Sequence, residues 1–422
     1  MESNLPQKES SSWREIKMTK KVISGLALLG VAVLTFFCYW FFLASTKNNT
    51  EVDDISYRAE TYSLTNANNF SKAEELVKNK LASNQESCNL NIDLVNIYLE
   101  KASVLSAEKE NSALLARNIL LGLEKEKKCV SDRWYNFIGY SYEVLNDLGP
   151  AESYYDKGLS LYPDSVELLF QKGHLLWLKG EEVDSIGAYL EAEKKLGSDV
   201  TDKTSKGKLA LALASYYGSN GRDFQRAEEY FMQAVSLIDS NRLRAEAYFG
   251  LSTLNFYYKD NLDDSSKYAL EAIKTDPQDD LGYIAFARVK IKQLAENNSD
   301  KQQVETELKA AGEQLNKALT LNPQRTIAHL WQGKLAFLAG DTAGALGIFD
   351  RALGLVGTDL SLSKTEKGLM EGEIYFAKGV VFQSMSNQAE AENYFKKAFG
   401  LNPVKTIFML QQMKIDSVLL KS

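Results

Sequence analysis

The sequence predicts an all-α protein, an α-solenoid of stacked helical hairpins preceded by one N-terminal transmembrane helix. Three observations support this fold class. Small and aromatic residues recur with a period of about 34 residues over most of the chain. The intervening apolar residues follow helical spacing, and only 6 of the 422 residues are proline. One segment near the start runs for 23 residues without a charge.

Length and charge limit the function classes. A chain of 422 residues exceeds the usual size of a single core, so it is expected to form several domains or a repeat array. The formal net charge is −7. Because non-specific nucleic-acid binding depends on neutralising phosphates, an acidic chain is poorly suited to it, and we expect no nucleic-acid partner.

The N-terminal region predicts membrane attachment. Residues 1–21 form a polar tail with an excess of basic side chains, and residues 22–44 are long enough to cross a bilayer core of about 30 Å. Tyr39 and Trp40 lie where an interfacial aromatic belt is expected. The basic tail predicts a cytoplasmic N-terminus, which places the C-terminal domain outside the cytoplasm, in the periplasm or extracellular space.

A cleaved secretory signal is the alternative interpretation of the same segment. Ala44 and Ser45 are small residues of the kind that precede a cleavage site. The apolar stretch is, however, longer than the roughly 7 to 15 residues of a signal peptide. An uncleaved single-pass anchor is therefore favoured, followed by a polar linker at 45–53.

The best-formed repeat unit lies at residues 132–165. Its small, aromatic and proline residues stand at fixed spacing, at Gly139, Tyr142, Ala151, Tyr155, Gly158 and Pro163. This unit resembles a tetratricopeptide repeat, a helical hairpin of about 34 residues. Small residues allow two helices to approach closely, and the aromatic rings fill the space between successive units.

Further units follow, because one hairpin cannot bury its own apolar face. The pattern returns, with varying completeness, at 166–199, 207–241, 242–278, 326–357 and 372–405. Residues 279–324 are too long for one unit, which predicts a lengthened helix pair with a surface loop near residue 300. We therefore expect degenerate repeats at 54–131, a solenoid of about six units at 132–403 and a capping helix at 404–422.

Two of the three cysteines suggest a disulfide bond. Cys38 lies inside the predicted transmembrane helix. Cys88 and Cys129 bracket a predicted helical hairpin, and antiparallel helices bring its two ends together. A disulfide bond between them fits an exported domain. Closing a loop of this size contributes about 3 to 4 kcal/mol to the free energy of unfolding. Two free thiols in a reducing compartment are the alternative.

No motif indicates catalysis or a metal centre. The only two histidines, His174 and His329, lie in different units, and neither has another histidine or cysteine at metal-ligand spacing. The glycines fall where the repeat requires small residues, not in a phosphate-binding loop. We therefore expect no enzyme activity, no cofactor and no small-molecule substrate.

The resemblance implies a right-handed α-solenoid with a binding groove lined by the first helix of each unit. The groove-facing candidates that it implies are Asn136, Tyr140, Glu143, Phe170, His174, Trp177, Leu330, Lys334, Phe337 and Phe376. Some family members clamp an acidic peptide through lysine and asparagine. Here apolar residues occupy most of those places and only Lys334 fits, so an extended or helical segment with apolar anchors is the expected ligand. The alternative is that the aromatics pack between helices.

These observations predict a membrane-tethered scaffold that recruits protein or peptide partners to an envelope complex. A second possibility is an extracytoplasmic chaperone or receptor that captures exported polypeptides. A third, an enzyme accessory domain or carbohydrate-binding module, has only the aromatic residues in its favour. A scaffold predicts one stable partner, whereas a chaperone predicts weak and promiscuous binding.

Overall fold

The computed structural model describes residues 56–126, 129–196, 203–219, 223–296, 301–359 and 361–412. The predicted tail, transmembrane helix and linker lie outside these residues. Within them, no helix combines the length and apolar character needed to span a bilayer. The chain divides into two compact units, Met1–Ser63 and Leu64–Ser422, and the described residues of the first are helical.

The regular elements of the described residues are helices. Helix α1 covers 56–66. The helices after it are α2 (Phe70–Ser83), α3 (Cys88–Val104), α4 (Lys109–Lys125), α5 (Asp132–Val144), α6 (Leu148–Leu161), α7 (Val166–Lys179), α8 (Glu182–Leu196), α9 (Lys203–Ser219), α10 (Phe224–Leu237), α11 (Asn241–Tyr257), α12 (Leu262–Thr275), α13 (Leu281–Glu296), α14 (Lys301–Leu321), α15 (Thr326–Leu338), α16 (Thr342–Val356), α17 (Lys364–Ser384), α18 (Gln388–Leu401) and α19 (Pro403–Gln412). From α3 to α18 they pack as consecutive pairs, each against the next, which is an α-solenoid of helical hairpins.

Glycine and an aromatic ring close four of these hairpins in the same way. A glycine of the first helix faces a ring of the second helix in the pairs Gly139 with Tyr155, Gly173 with Tyr189, Gly333 with Phe349 and Gly379 with Phe395. A Cβ atom at Gly173 would lie 2.7 Å from the ring of Tyr189, closer than real contacts allow. The recurring glycine thus sets the close approach of the two helices.

The hairpin α11–α12 closes differently. Ser252 and Ser265 face each other across it, both buried. Each hydroxyl donates a hydrogen bond of 2.8 Å to the backbone carbonyl of the other serine. Hydrogen bonding therefore replaces the glycine and ring contact in this part of the array.

Sharp turns inside the hairpins use left-handed backbone conformations. Gly180 and Gly340 have φ of 79° and 86°, which glycine adopts without strain. Asn146 and Asp260 occupy the corresponding place in their hairpins at φ of 60° and 50°, and asparagine and aspartate tolerate this region better than other side chains. The turns are therefore short, and the paired helices run antiparallel.

Ion pairs between neighbouring hairpins supplement the apolar core. The most buried is the pair of Arg325 with Asp280, whose guanidinium donates two hydrogen bonds of 2.6 and 2.9 Å to the carboxylate. Such a two-point contact fixes orientation as well as distance. It joins the start of α13 to the start of α15, on the same side of the array.

Residues 279–324 form a lengthened helix pair, α13–α14, as the sequence predicts. The extra residues lengthen a helix: α14 has 21 residues, where α6 has 14. Only 297–300 of the expected loop lie outside the described helices. The segment KQQVETELKAAGEQL is rich in strong helix formers, which explains the extension. Seven hairpins, α5 to α18, stand where about six units were expected.

The sulfur atoms of Cys88 and Cys129 are bonded, with a Cα–Cα distance of 5.3 Å. Cys88 is the first residue of α3, and Cys129 follows the end of α4. The bond therefore ties together the open end of the hairpin α3–α4.

Candidate binding groove

The expected groove residues divide into accessible and buried groups. The partly accessible ones are Tyr140, Phe170, His174, Trp177, Lys334 and Phe337. The buried ones are Asn136, Glu143, Leu330 and Phe376. The first group lies on α5, α7 and α15 and leaves aromatic and polar surface open to solvent.

Leu330 and Phe376 belong to the core, contrary to their expected place in the groove. Leu330 is 1% exposed and packs in a cluster with Phe349 and Ile374. Phe376 lies 5.3 Å from the ring of Phe395, measured between centroids. In both cases the next helix of the array covers the side chain. Their positions in the repeat point inwards, but α16 and α17 cover Leu330 and α18 covers Phe376.

Glu143, Tyr155 and His174 form one hydrogen-bonded group. The buried carboxylate of Glu143 lies 2.6 Å from Nδ1 of His174 and accepts a hydrogen bond of 3.2 Å from the hydroxyl of Tyr155. Burial acts to lower the pKa of His174, but the carboxylate of Glu143 raises it above its usual value. The ring of His174 stacks on Trp177 at 5.5 Å, so this group presents a flat aromatic surface.

More carboxylates face this group from other helices. Glu100 of α3, Glu246 of α11 and Asp279 before α13 are partly accessible, and so is Arg242. Burial acts to lower the pKa of Arg242, but Glu100 and Glu246 raise it overall. Burial, followed by the neighbouring Asp280, raises the pKa of Asp279 to about 7. We call Glu100, Glu143, His174, Arg242, Glu246 and Asp279 the N-terminal cluster.

A second charged group lies on the later hairpins. Glu373 of α17 accepts a hydrogen bond of 2.7 Å from Lys334 of α15 and one of 2.6 Å from Lys405 of α19. Burial would raise the pKa of Glu373, but the two lysines hold it well below its usual range. The amino group of Lys405 also lies 5.5 Å from the ring centroid of Tyr257.

Arg288 of α13 completes this group. Its guanidinium is fully buried and lies against the rings of Phe256 and Tyr257 at 5.0 and 5.6 Å. Nη2 donates a hydrogen bond of 2.8 Å to Thr253, whereas Nε and Nη1 have no acceptor. Burial lowers the pKa of Arg288 to about 10. We call Tyr257, Arg288, Lys334, Glu373 and Lys405 the C-terminal cluster.

Sequence reasoning identified part of these two clusters. It found Glu143, His174 and Lys334 through their position in the repeat. It missed Arg242, Glu246 and Arg288 because the units around 242–324 are irregular, and Lys405 because it lies in the expected capping helix. Glu373 lies in the unit at 372–405 but was not among the expected groove residues. In the part of the chain that the structure describes, no group of three histidine, cysteine, aspartate or glutamate residues could hold a metal ion.

Sequence profiles of the tetratricopeptide repeat match three stretches of the chain, residues 133–165, 307–359 and 372–405. The chain carries tetratricopeptide repeats in these three stretches. These stretches hold the hairpins α5–α6, α15–α16 and α17–α18, which include three of the four glycine and ring contacts. Tetratricopeptide repeats generally mediate interactions between proteins, so the fold is that of an interaction module.

Solved structures of similar fold include human IFIT1, as a dimer with the RNA oligonucleotide m7Gppp-AAAA. That match has 15% identity and a TM-score of 0.54, and covers 83% of this chain and 79% of that chain. A thermophilic tetratricopeptide repeat protein of Thermus thermophilus matches at 19% identity over 49% of this chain and 97% of its own, with a TM-score of 0.40. No curated protein matches the chain.

Proposed function

We propose that this protein is a membrane-tethered scaffold whose repeat array lies outside the cytoplasm and holds partner proteins for assembly of an envelope complex. The observation that carries the proposal is the accessible aromatic surface of α5 and α7. Tyr140, His174 and Trp177 remain partly open to solvent, although large aromatic side chains are normally buried in a repeat array. Such side chains are the usual anchors for a bound polypeptide.

The location outside the cytoplasm is supported by the bond between Cys88 and Cys129. Disulfide bonds persist in oxidising compartments and are rare where glutathione keeps thiols reduced. The uncharged segment 22–44 supplies the anchor in this proposal. The linker at 45–53 then holds the array close to the bilayer surface.

A polypeptide ligand fits this groove better than RNA does, although human IFIT1 is seen with an RNA oligonucleotide. Glu100 and Glu246 face the aromatic surface, and they would repel a phosphate backbone. Polypeptide segments carry no obligatory negative charge. We therefore keep protein partners as the proposed ligands.

The test is proximity labelling in the native cell, using the full chain in its membrane, followed by mass spectrometry. The double variant Phe170→Ala and Trp177→Ala should lose most partner capture, since it removes two aromatic anchors from one helix face. Its matched control is Leu190→Ala with Met232→Ala, which removes two exposed apolar side chains from second helices, outside the groove.

One dominant envelope complex, lost in the groove variant and kept in the control, would support the scaffold. Equal capture by both variants would contradict the groove assignment. A broad range of unrelated exported proteins would instead favour an extracytoplasmic chaperone. Labelling confined to cytoplasmic proteins would contradict the proposed location.

A further inference from the structure

We infer that the groove selects a partner segment with one basic end and one acidic end, and binds it with the basic end at the N-terminal cluster and the acidic end at the C-terminal cluster. This inference rests on the proposed function and defines the charge order of the partner. It follows from the opposite charge of the two clusters and from the aromatic surface that accompanies each of them.

The N-terminal cluster has more carboxylates than bases. Glu100, Glu143, Glu246 and Asp279 stand against Arg242 and His174. Glu143 is already engaged with His174 and Tyr155, whereas the other three carboxylates have accessible surface. A lysine or arginine of a partner could approach them beside Tyr140 and Trp177. An aromatic face next to carboxylates is a favourable environment for a cationic side chain.

The C-terminal cluster has the opposite balance. Arg288, Lys334 and Lys405 stand against a single carboxylate, Glu373. The lysine side chains are 26% and 38% exposed, whereas that of Glu373 is only 13% exposed. A partner carboxylate would therefore meet the lysines first. The cluster keeps a positive charge because the two lysines share a single carboxylate. Each lysine donates a hydrogen bond to a different oxygen of Glu373.

Arg288 independently indicates unsatisfied positive charge at this end. It is completely buried, yet two of its guanidinium nitrogens have no acceptor. Leaving a buried donor without a partner destabilises the fold, and more so when the group is charged. The ring of Tyr257 lies against both Lys405 and Arg288. An anion bound at the lysines would therefore lie beside this ring and would offset the positive charge of Arg288.

Aromatic residues also extend towards solvent at the C-terminal cluster. Tyr257 and Tyr258 are 39% and 46% exposed, and the ring of Tyr258 stacks on Phe224 at 4.2 Å. The partner segment thus meets rings at both clusters and opposite charges at its two ends. A uniformly acidic or uniformly basic segment would be attracted by one cluster and repelled by the other.

The experiment uses the full-length protein in detergent with two synthetic peptides of about 20 residues and identical composition, both carrying leucine and tryptophan anchors. In the first peptide the lysines and glutamates form separate end blocks, and in the second they alternate. Each peptide carries a benzophenone crosslinker at one end or the other. Affinity is measured by fluorescence anisotropy, and crosslinked residues are mapped by mass spectrometry.

The block peptide should bind about tenfold more tightly than the alternating one, and the difference should shrink at high salt. Its basic end should crosslink near Tyr140 and Trp177, and its acidic end near Tyr257 and Lys405. The variant Lys405→Gln should reduce the crosslinking of the acidic end, and Glu100→Gln with Glu246→Gln should reduce that of the basic end. Lys274→Gln, whose side chain is 78% exposed on α12, is the matched control.

Equal binding of the two peptides, or crosslinks without preference for an end, would overturn the charge order while leaving the groove function in place. Absence of saturable binding by both peptides would also overturn it, and the partner capture described above then shows whether the proposed function fails as well. Displacement of the block peptide by a single-stranded RNA oligonucleotide would assign the groove to nucleic acid. Thermal melting of each variant checks that it is folded.

Discussion

The hairpins α7–α8 and α11–α12 differ in how they bring two helices together. In the first, Gly173 lets the ring of Tyr189 fill the space between the helices. In the second, Ser252 and Ser265 exchange hydrogen bonds at the equivalent place. The first closure combines this shape with one hydrogen bond of 2.8 Å from Ser185 to the carbonyl of Gly173, whereas the second has two such hydrogen bonds and no ring. The comparison shows that one backbone arrangement can be maintained by two kinds of side-chain chemistry with different tolerance to substitution.

The polar closure continues into the next hairpin. Nη2 of Arg288 lies 3.4 Å from the hydroxyl of Ser252, so the serine pair and the buried guanidinium form one group. The hairpins closed by glycine and a ring have no such guanidinium in their described interiors. The middle of the array therefore links a buried guanidinium to the serine pair, so loss of Ser252 removes one of its hydrogen-bond partners.

The largest expected effect on stability is in the hairpin α7–α8, where Gly173 faces the ring of Tyr189. Gly173→Val should lower the free energy of unfolding by about 3 kcal/mol, because its side chain would overlap the ring of Tyr189. Urea denaturation measures the change. Gly187→Val is the control on the paired helix α8, where a Cβ atom meets nothing within 4 Å. Equal losses for the two variants would contradict the role of the close approach.

Replacing the buried Arg288 should change the free energy of unfolding in the opposite direction. Arg288→Met should raise the free energy of unfolding by about 1 to 2 kcal/mol, because it removes buried donors without acceptors while keeping most of the volume. Arg288→Ala should lower it instead, since a cavity replaces the side chain. A loss for the methionine variant as large as that for alanine would show that the charge itself stabilises the fold.

The serine pair should show a smaller and non-additive effect. Ser252→Ala and Ser265→Ala should each cost about 1 kcal/mol, the usual net value of a buried hydrogen bond. The double variant should cost less than the two single losses combined, because each substitution leaves the other serine with an altered partner. A double-mutant cycle in urea measures this coupling. Strict additivity would contradict a shared network.

The smallest expected effect is the pH dependence of the His174 and Glu143 pair. The pKa of His174 is raised above its usual value of 6.5 in the folded state. The ion pair therefore stabilises the fold fully below pH 6.5, and this stabilisation is lost as the pH rises through the raised pKa. NMR titration of the imidazole measures this pKa, and His174→Gln should flatten the stability profile in that range. A pKa below 6.5 would contradict the ion pair.

Much of the fold could be predicted from sequence because the repeat is a local pattern. Gly139, Ala151 and Tyr155 lie within one hairpin, so their spacing alone indicates the contact that they make. The segment 279–324 was harder, since excess length does not say whether it forms a loop or a longer helix. Helix propensity in α14 favoured the helix, and tertiary packing accommodated it.

The groove was less predictable because it depends on which residues the next hairpin covers. Position in the repeat placed His174 and Leu330 on the same inner face, but only Leu330 is covered by a neighbour. Arg288 and Lys405 come together with Tyr257 through three different helices, a contact that no local pattern contains. Such contacts require the three-dimensional arrangement of the array.

The covalent link in α3–α4 has a consequence for the order in which the chain folds. Cys88 and Cys129 are separated by 41 positions, and both belong to an early hairpin whose neighbours in space are also its neighbours in sequence. The bond can therefore close before the later hairpins are made. Contacts between sequence neighbours form quickly, so each new hairpin can dock on an already cross-linked end as it emerges. The hairpin α3–α4 would then provide the first folded surface against which the later hairpins pack.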